Sequence, residues 1–325
     1  LKTSSEGLVE FAQKSLGLIL QVGWLKSMGH WNKIHKEDID DSKEDSELQL
    51  MCNLELSNWE WSLKRVSELL GENKNLEIEI QKKLKSYGAK AAFHLGDWDK
   101  LENFIDPTQD NREIYQAAVA LKHDKMIEAS EYIEQAFKLC EKESYGIGNY
   151  ATDYDKIVKL QLLCEMNEIL DLKNKSINDS FVVESNINSN ENITNKDSEE
   201  RNHLIGIWND RFLTMESGLS NMQKILAIRS LICNEEELLT WKLKFAKICF
   251  KQENSVLYTQ TINRLKNFDF KSQILIDKIA LAQVECEYKT GKLQQLQVIG
   301  LIDELTDKKG VSKKYKSLLY VKLGI

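Results

Sequence analysis

A single proline, Pro107, stands in a chain of 325 residues, and this scarcity constrains the fold more than any other feature of the sequence. Proline ordinarily makes up about 5 % of a globular chain, where it marks turns, sheet edges and helix ends. An all-β or doubly wound α/β protein of this length needs such breakers at most of its connections, and the 15 glycines are too few to replace them. What remains is a set of long helices joined by short polar turns. The length allows about two domains or one extended repeat array.

Charge and cysteine usage narrow the setting. The 44 Lys and Arg residues against 51 Asp and Glu leave a net charge of −7, which opposes nucleic acid as a partner while leaving room for a local basic pocket. The longest apolar run, residues 16–25, is interrupted by Gln21 and Gly23 and falls short of the roughly 20 residues that span a bilayer, so no membrane span is expected. Cys52, Cys140, Cys164, Cys233, Cys249 and Cys286 lie far apart with no CxxC and read as small apolar residues of a reducing, cytoplasmic compartment. The glycosylation acceptor patterns at Asn174, Asn178 and Asn192 read as chance matches in an Asn-rich stretch. A chain that starts on Leu1 and stops on Ile325 in mid-pattern is expected to be a segment of something longer.

The helices announce themselves by a recurring design. Thr3-Ser4-Ser5-Glu6 is a capping box, followed by Leu8, Phe11, Ala12, Leu16, Ile19 and Leu20 at helical spacing and closed by Gly29. An apolar helix, a polar turn and a tryptophan then recur at Met28-Gly29-His30-Trp31, Leu56-Ser57-Asn58-Trp59 and Leu95-Gly96-Asp97-Trp98. This resembles the helix–turn–helix of tetratricopeptide repeats, where each pair buries its face only by stacking on the next. The tryptophan spacings of 28 and 39 scatter around the expected period of about 34. Further pairs are expected at 114–120 with 127–139, 239–250 with 258–265, and 274–288 with 293–305. The fold class is therefore all-α, an α-solenoid of tetratricopeptide-like helical hairpins. Residues 173–201, rich in Asn, Ser, Asp, Glu and Lys, are expected to be a disordered insertion between two helical blocks, 1–172 and 202–325.

The search for chemistry is mostly negative. The sequence contains no Gly-x-Ser-x-Gly turn, no His-Glu-x-x-His helix and no Gly-Lys-Ser/Thr phosphate loop. Gly146-Ile147-Gly148 lacks the third glycine of a nucleotide loop, with Ala151 in its place, and reads as an interhelical turn. The five histidines, His30, His35, His94, His123 and His203, show no metal-ligand spacing and are expected in capping, turn or surface roles. Glu235-Glu236-Glu237 sits where a helix start favours negative charge. The seven tryptophans are expected to pack the core rather than to cage a ligand. On residues alone the chain is a non-enzymatic helical scaffold.

Two stretches are more specific than repeat patterning. The first is Ala91-Ala92-Phe93-His94-Leu95-Gly96-Asp97-Trp98-Asp99-Lys100-Leu101-Glu102-Asn103-Phe104-Ile105, followed by Ile114-Tyr115-Gln116-Ala117-Ala118-Val119-Ala120-Leu121. The second is Met222-Gln223-Lys224-Ile225-Leu226-Ala227-Ile228-Arg229-Ser230-Leu231-Ile232, then Trp241 and Lys244-Phe245-Ala246-Lys247-Ile248-Cys249. In sequence, order and approximate spacing they resemble the FAT region of target-of-rapamycin (TOR) kinases. Weaker matches at Glu10-Phe11-Ala12, Glu143-Ser144-Tyr145, residues 154–169 and Ile207-Trp208 extend the resemblance over nearly the whole chain outside the insertion, and it thins after Leu265. The departures are the expanded polar stretch at 173–201, one extra residue between Trp241 and Lys244, and a divergent carboxyl-terminal part.

The resemblance implies a role rather than a reaction. In that family the FAT region is an α-solenoid that curls around the kinase domain as a C-shaped clamp and offers surface to partner subunits. The implied partners are thus the protein's own kinase domain and TOR-complex subunits, in the cytoplasm or peripheral on endomembranes through those partners. The whole protein would phosphorylate Ser/Thr residues with ATP and magnesium, neither of which this segment is expected to hold, since Phe268-Asp269-Phe270 lacks the glycine of a magnesium site and no catalytic loop is recognisable. Such FAT regions also carry a basic pocket for an inositol polyphosphate, with inositol hexakisphosphate as the implied ligand. Lys83, Lys224, Arg229 and Lys244 fall on or near the family's basic positions, whereas Gln135 and Phe137 occupy another; the plain alternative is that these are ordinary solvated or ion-paired side chains. Rival readings are a free-standing tetratricopeptide-like adaptor for protein partners and another member of the same large kinase family.

Overall fold

The computed structural model describes residues 43–72, 77–143, 150–185, 190–215, 218–252, 254–269, 273–289, 294 and 297–301. Among the described residues the helices are α1 (Lys43–Glu55), α2 (Trp59–Glu72), α3 (Ile78–Leu95), α4 (Trp98–Phe104), α5 (Arg112–Lys122), α6 (Met126–Glu143), α7 (Tyr150–Ser185), α8 (Asn190–Thr214), α9 (Leu219–Arg229), α10 (Glu235–Lys251), α11 (Ser255–Asn267) and α12 (Gln273–Lys289), with no strand. The expected pairs over 114–139 and 239–265 are α5 with α6 and α10 with α11. The capping box at Thr3-Ser4-Ser5-Glu6, the turn at Met28-Gly29-His30-Trp31, Gly146-Ile147-Gly148 and most of residues 293–305 lie outside the described residues. No described helix is long and apolar enough to cross a membrane.

The turns work as their residues dictate. At the end of α3, Gly96 takes φ 68°; its N–H donates to the Phe93 carbonyl at 3.1 Å, and the Asp97 N–H donates to Ala92 at 3.0 Å, so two orphan carbonyls of the helix end are satisfied. Asp97 then caps α4 by accepting the Lys100 N–H at 3.2 Å. Trp98 follows at once and lays its ring edge-on to Phe93, 5.7 Å between centroids. At the earlier turn Ser57 takes φ 61°, while the Asn58 N–H donates to Asn53 at 2.8 Å and Trp59 is buried. The polar residue gives the reversal and the tryptophan closes it over both helices.

Packing makes these hairpins one body. A single buried cluster runs from Leu50 on α1 to Leu257 on α11, taking in Trp59, Phe93, Trp98, Trp208, Phe212, Trp241 and Phe245. A smaller one joins Leu239, Leu265 and Ile279. Helix α9 packs against both α3 and α7, so the array does more than stack neighbour on neighbour. The first described turn also meets α11, far away in sequence. Asn254 donates to the Leu56 carbonyl at 3.2 Å, Gln260 to Asn58 at 2.8 Å and Arg264 to Glu60 at 2.8 Å.

Residues 173–201 differ from expectation. They are helical over 173–185 at the end of α7 and over 190–201 at the start of α8, so neither boundary, at 172 or at 202, coincides with a helix end. Lys173 donates to the Leu121 carbonyl at 2.8 Å and to Asp124 at 2.5 Å, capping the end of α5. Lys175 pairs with Glu200 at 2.7 Å, and Arg201 holds Glu237 by two bonds of 2.6 and 2.8 Å. A polar composition argues against burial, but a helix satisfies its own backbone and here needs only charged anchors at its edges.

Two glycines separate packing from propensity. A Cβ on Gly88 of α3 would lie 2.9 Å from the Phe104 ring, whereas one on Gly206 of α8 would meet nothing within 4 Å. Gly88→Ala is expected to lose about 1–3 kcal/mol despite the better helix former, and Gly206→Ala to gain up to about 1 kcal/mol. Urea unfolding of both variants checks the opposite signs.

Candidate functional site

The strongest electrostatic feature is buried. Arg229, the last residue of α9, and Glu165 of α7 are both 0 % exposed. The guanidinium donates from Nε to Oε2 at 2.8 Å and from Nη2 to Oε1 at 2.7 Å, the two-bond fork that suits a carboxylate. Its Cζ lies 4.5 Å from the Trp241 ring centroid, 5.3 Å from Trp208 and 5.4 Å from Phe212. Nη1 is buried without an acceptor, so three aromatic faces supply its remaining compensation. The tryptophans do form a cage, but its occupant is the chain's own arginine.

Around this pair the helices are tied by polar bonds at their rims. Trp208 donates to Glu168 at 2.7 Å, and Arg211 grips the same carboxylate with two bonds of 2.8 Å. Trp241 donates to Asn209 at 3.1 Å. The acidic start of α10 behaves as expected: Asn234 and Glu237 form a capping box. Burial pushes the Cys233 and Cys249 thiols up to about 12, which leaves them protonated packing groups.

His94 was expected at a cap, a turn or the surface; instead it is buried. It stacks on Trp59 with 4.0 Å between ring centroids, because a ring in the last turn of α3, just after the Ala-rich stretch, meets the tryptophan closing the α1–α2 turn. Nδ1 lies 2.7 Å from the Lys90 carbonyl, which can only accept, so Nδ1 carries the proton and Nε2 accepts from the Ser220 hydroxyl at 3.0 Å. Burial lowers its pKa to about 3 against the backbone bond to Lys90, with the Lys224 and Lys90 charges lowering it further. The neutral imidazole thus joins α3 to the first turn of α9.

One turn further along α9 lies a cavity of about 290 Å³ lined by Phe93, Ile114, Tyr115, Asp155, Lys156, Lys159 and Lys224, among others. Lys224 donates to Asn221 at 3.3 Å, and Asn221 in turn donates to Asp155 at 2.8 Å. Burial lowers the Lys224 pKa; Asp155 opposes this, and Lys90 and Lys159 add to it. Several ammoniums therefore crowd one small, partly desolvated space, an arrangement that favours an anion.

The four residues singled out from the sequence do not share this cavity. Lys224 lines it; Lys83, Arg229 and Lys244 are absent from its lining. Residues five apart on a helix point about 140° away from each other, so Lys224 faces the cavity while Arg229 faces the core. Lys83 is exposed on α3. Lys244 donates to the Phe212 carbonyl at 2.7 Å near the end of α8, with its ammonium 5.2 Å from the Phe212 ring. Gln135 is exposed, and Phe137 packs on the core. The sequence reading missed Lys156, Lys159 and Glu165. Glu165 was legible in principle, since it falls on the same helical stripe as Leu162, Met166 and Ile169, where a charge demands a partner. No group of three His, Cys, Asp or Glu residues suited to a metal occurs among the described residues.

Comparison with known proteins follows the same lines. The FAT domain model matches residues 85–322. Serine/threonine-protein kinase TOR of Oryza sativa subsp. japonica is 23 % identical over 325 residues, covering 88 % of this chain and 12 % of that protein. Serine/threonine-protein kinase TOR2 of Saccharomyces cerevisiae is 25 % identical over 273 residues, 81 % of this chain and 10 % of that protein. Serine/threonine-protein kinase mTor of Drosophila melanogaster is 23 % identical over 284 residues, 83 % and 10 %. The chain spans about a tenth of the length of these relatives.

Two measurements probe the buried groups. Arg229→Ala leaves the Glu165 carboxylate buried alone and is expected to cost about 3–5 kcal/mol. Arg229→Lys also destabilises, since an ammonium cannot keep the fork or the aromatic stacking, while Glu165→Leu with Arg229→Met recovers most of the loss; a double-mutant cycle in urea reads the coupling. For His94 the folded pKa is about 3 against 6.5 for the free side chain, so its contribution is full above pH 6.5 and drains as the pH falls toward 3. Unfolding midpoints measured from about pH 7 to about pH 4 are expected to fall more steeply in the native protein than in His94→Gln.

Proposed function

The chain belongs to the FAT-domain family, and on that premise we propose that it is the non-catalytic helical scaffold of a TOR-type serine/threonine protein kinase. In this reading it clamps the protein's own kinase domain and presents surface to TOR-complex subunits, in the cytoplasm or on endomembranes reached through those subunits. Phosphorylation with ATP and magnesium belongs to the kinase domain. The match of the FAT domain model over residues 85–322 carries the proposal, together with relatives that bear the name of that kinase. A helical array whose main buried cluster runs from α1 to α11 suits the role, because a clamp must transmit position without deforming. Exposed Ile127, Ile157 and Leu213 are apolar side chains available to partner surfaces.

We propose further that the Lys224 cavity takes an inositol polyphosphate, with Lys156 and Lys159 in place of Lys83, Arg229 and Lys244. The observation favouring it is the crowding of these ammoniums around a partly desolvated Lys224, a strain that charge-assisted bonds to phosphate relieve. Bound there, the anion would tie α7 to α9.

Two experiments test these readings. Cross-linking mass spectrometry on the intact protein is expected to join lysines of this region to a phosphoinositide-3-kinase-like catalytic domain; a transcript that ends at Ile325 would favour a free-standing adaptor instead. Isothermal titration with inositol hexakisphosphate is expected to show micromolar binding that weakens with salt and is lost in Lys224→Glu but kept in Lys83→Glu. Absence of salt-sensitive binding sinks the ligand proposal.

A further inference from the structure

The connection between α4 and α5 carries one threonine, Thr108, and it is exposed. Its N–H and its hydroxyl both donate to Asp106 Oδ1, at 3.0 and 2.7 Å. These bonds hold the Asp106 carboxyl below the usual carboxylate range, and the charges of Lys85 and Lys82 on α3 add to them. Packing explains why those lysines face the turn. Gly88 of α3 packs against the ring of Phe104, the last residue of α4, and Lys85 and Lys82 lie about one and two helical turns before it. From the other side the Arg112 guanidinium reaches back to the Pro107 carbonyl at 3.5 Å. Among the described residues no carboxylate forms a close ion pair with Lys82, Lys85 or Arg112. Three cations from two helices thus border a turn that holds one hydroxyl.

We propose that Thr108 is a phosphorylation site for a protein kinase with a basic substrate groove, and that Lys82, Lys85 and Arg112 receive the phosphate. The kinase is identified by charge: Asp106 and Asp110 flank the threonine, and no Lys or Arg stands between Lys100 and Arg112. In the reaction the Thr108 oxygen forms a bond to the γ-phosphorus of ATP, the bond to the β-phosphate oxygen breaks, ADP leaves, and the hydroxyl proton passes to the base of the kinase. Access favours this residue. Ser67, Ser86, Ser130, Thr240 and Thr259 are also exposed but lie inside helices, where an extended substrate form requires unwinding a packed turn, whereas Thr108 lies in a loop. Modification exchanges one contact for several. The esterified oxygen no longer donates to Asp106, and a group carrying about −1.5 to −2 charges is repelled by that carboxylate. Lys82 and Lys85 on α3 and Arg112 on α5 then supply charge-assisted bonds, which join the two helices across α4. Asp110, the other carboxylate of the connection, is exposed and screened by water and salt.

Trypsin makes the modification legible, because cleavage after Lys100 and Arg112 releases Leu101–Arg112, in which Thr108 bears the single side-chain hydroxyl. Mass spectrometry of the intact protein, isolated with phosphatase inhibitors from growing and from resting cells, is expected to find this peptide carrying one phosphate in at least one of the two states. Recovery of the unmodified peptide alone from both overturns the proposal. The receiving cations are read separately. Phosphothreonine installed at position 108 during translation is expected to slow amide hydrogen exchange over residues 105–111 by about tenfold. Lys82→Ala combined with Lys85→Ala is expected to remove that protection and to leave exchange of the unmodified protein unchanged. Protection that persists in the double variant, or a phosphate that speeds exchange, overturns the role given to the lysines.

Discussion

The buried pair of Arg229 and Glu165 is the interaction on which the rest of the arrangement depends. Two charges at 0 % exposure are tolerable only if their partners sit within a few tenths of an ångström of ideal geometry. That demand locks α9 against α7 through the fork itself, and against α8 and α10 through the rings of Trp208, Phe212 and Trp241. An apolar core of the same volume makes no such directional demand on its partners. The bonds from Trp208 and Arg211 to Glu168 extend the same constraint outward to the rim.

Fixing α9 fixes the cavity. Lys224 lies on the same helix, turned away from the core by the helical rotation that turns Arg229 into it. Its distance from Lys156 and Lys159 is therefore set by the α7–α9 contact that the buried pair maintains. From the other side His94 reaches Ser220, so the first turn of α9 is held by α3 while its last residue is held by α7. A helix held at both ends presents Lys224 at a defined depth beside Lys156 and Lys159.

The same logic bears on a scaffold. Hairpins that contact only their neighbours make a spring, whereas here α9 bridges α3 and α7, the turn before Trp59 meets Asn254 and Gln260, and Glu60 just after it meets Arg264. Those cross-links between distant parts of the chain stiffen the array. The polar stretch at 173–201 fits this picture at its edges, where Lys173 and Arg201 tie α7 to α5 and α8 to α10.

The sequence by itself determined the class of fold and its punctuation, because these depend on local rules. One proline, helical spacing of apolar residues and the Gly96-Asp97-Trp98 and Asn58-Trp59 turns dictate helices and where they reverse. It also held the FAT-type motifs in readable order. What only the tertiary structure decided is which charges meet. Lys224 and Arg229 look alike in a string of basic positions, yet one lines a cavity and the other is sealed among three aromatic rings. Local propensity cannot see a partner 64 residues away, and the cost of burying a charge depends wholly on that partner. The place of His94 depends on its partners in the same way, and for residues 173–201 composition reports what a segment can bury and not which neighbours anchor its ends.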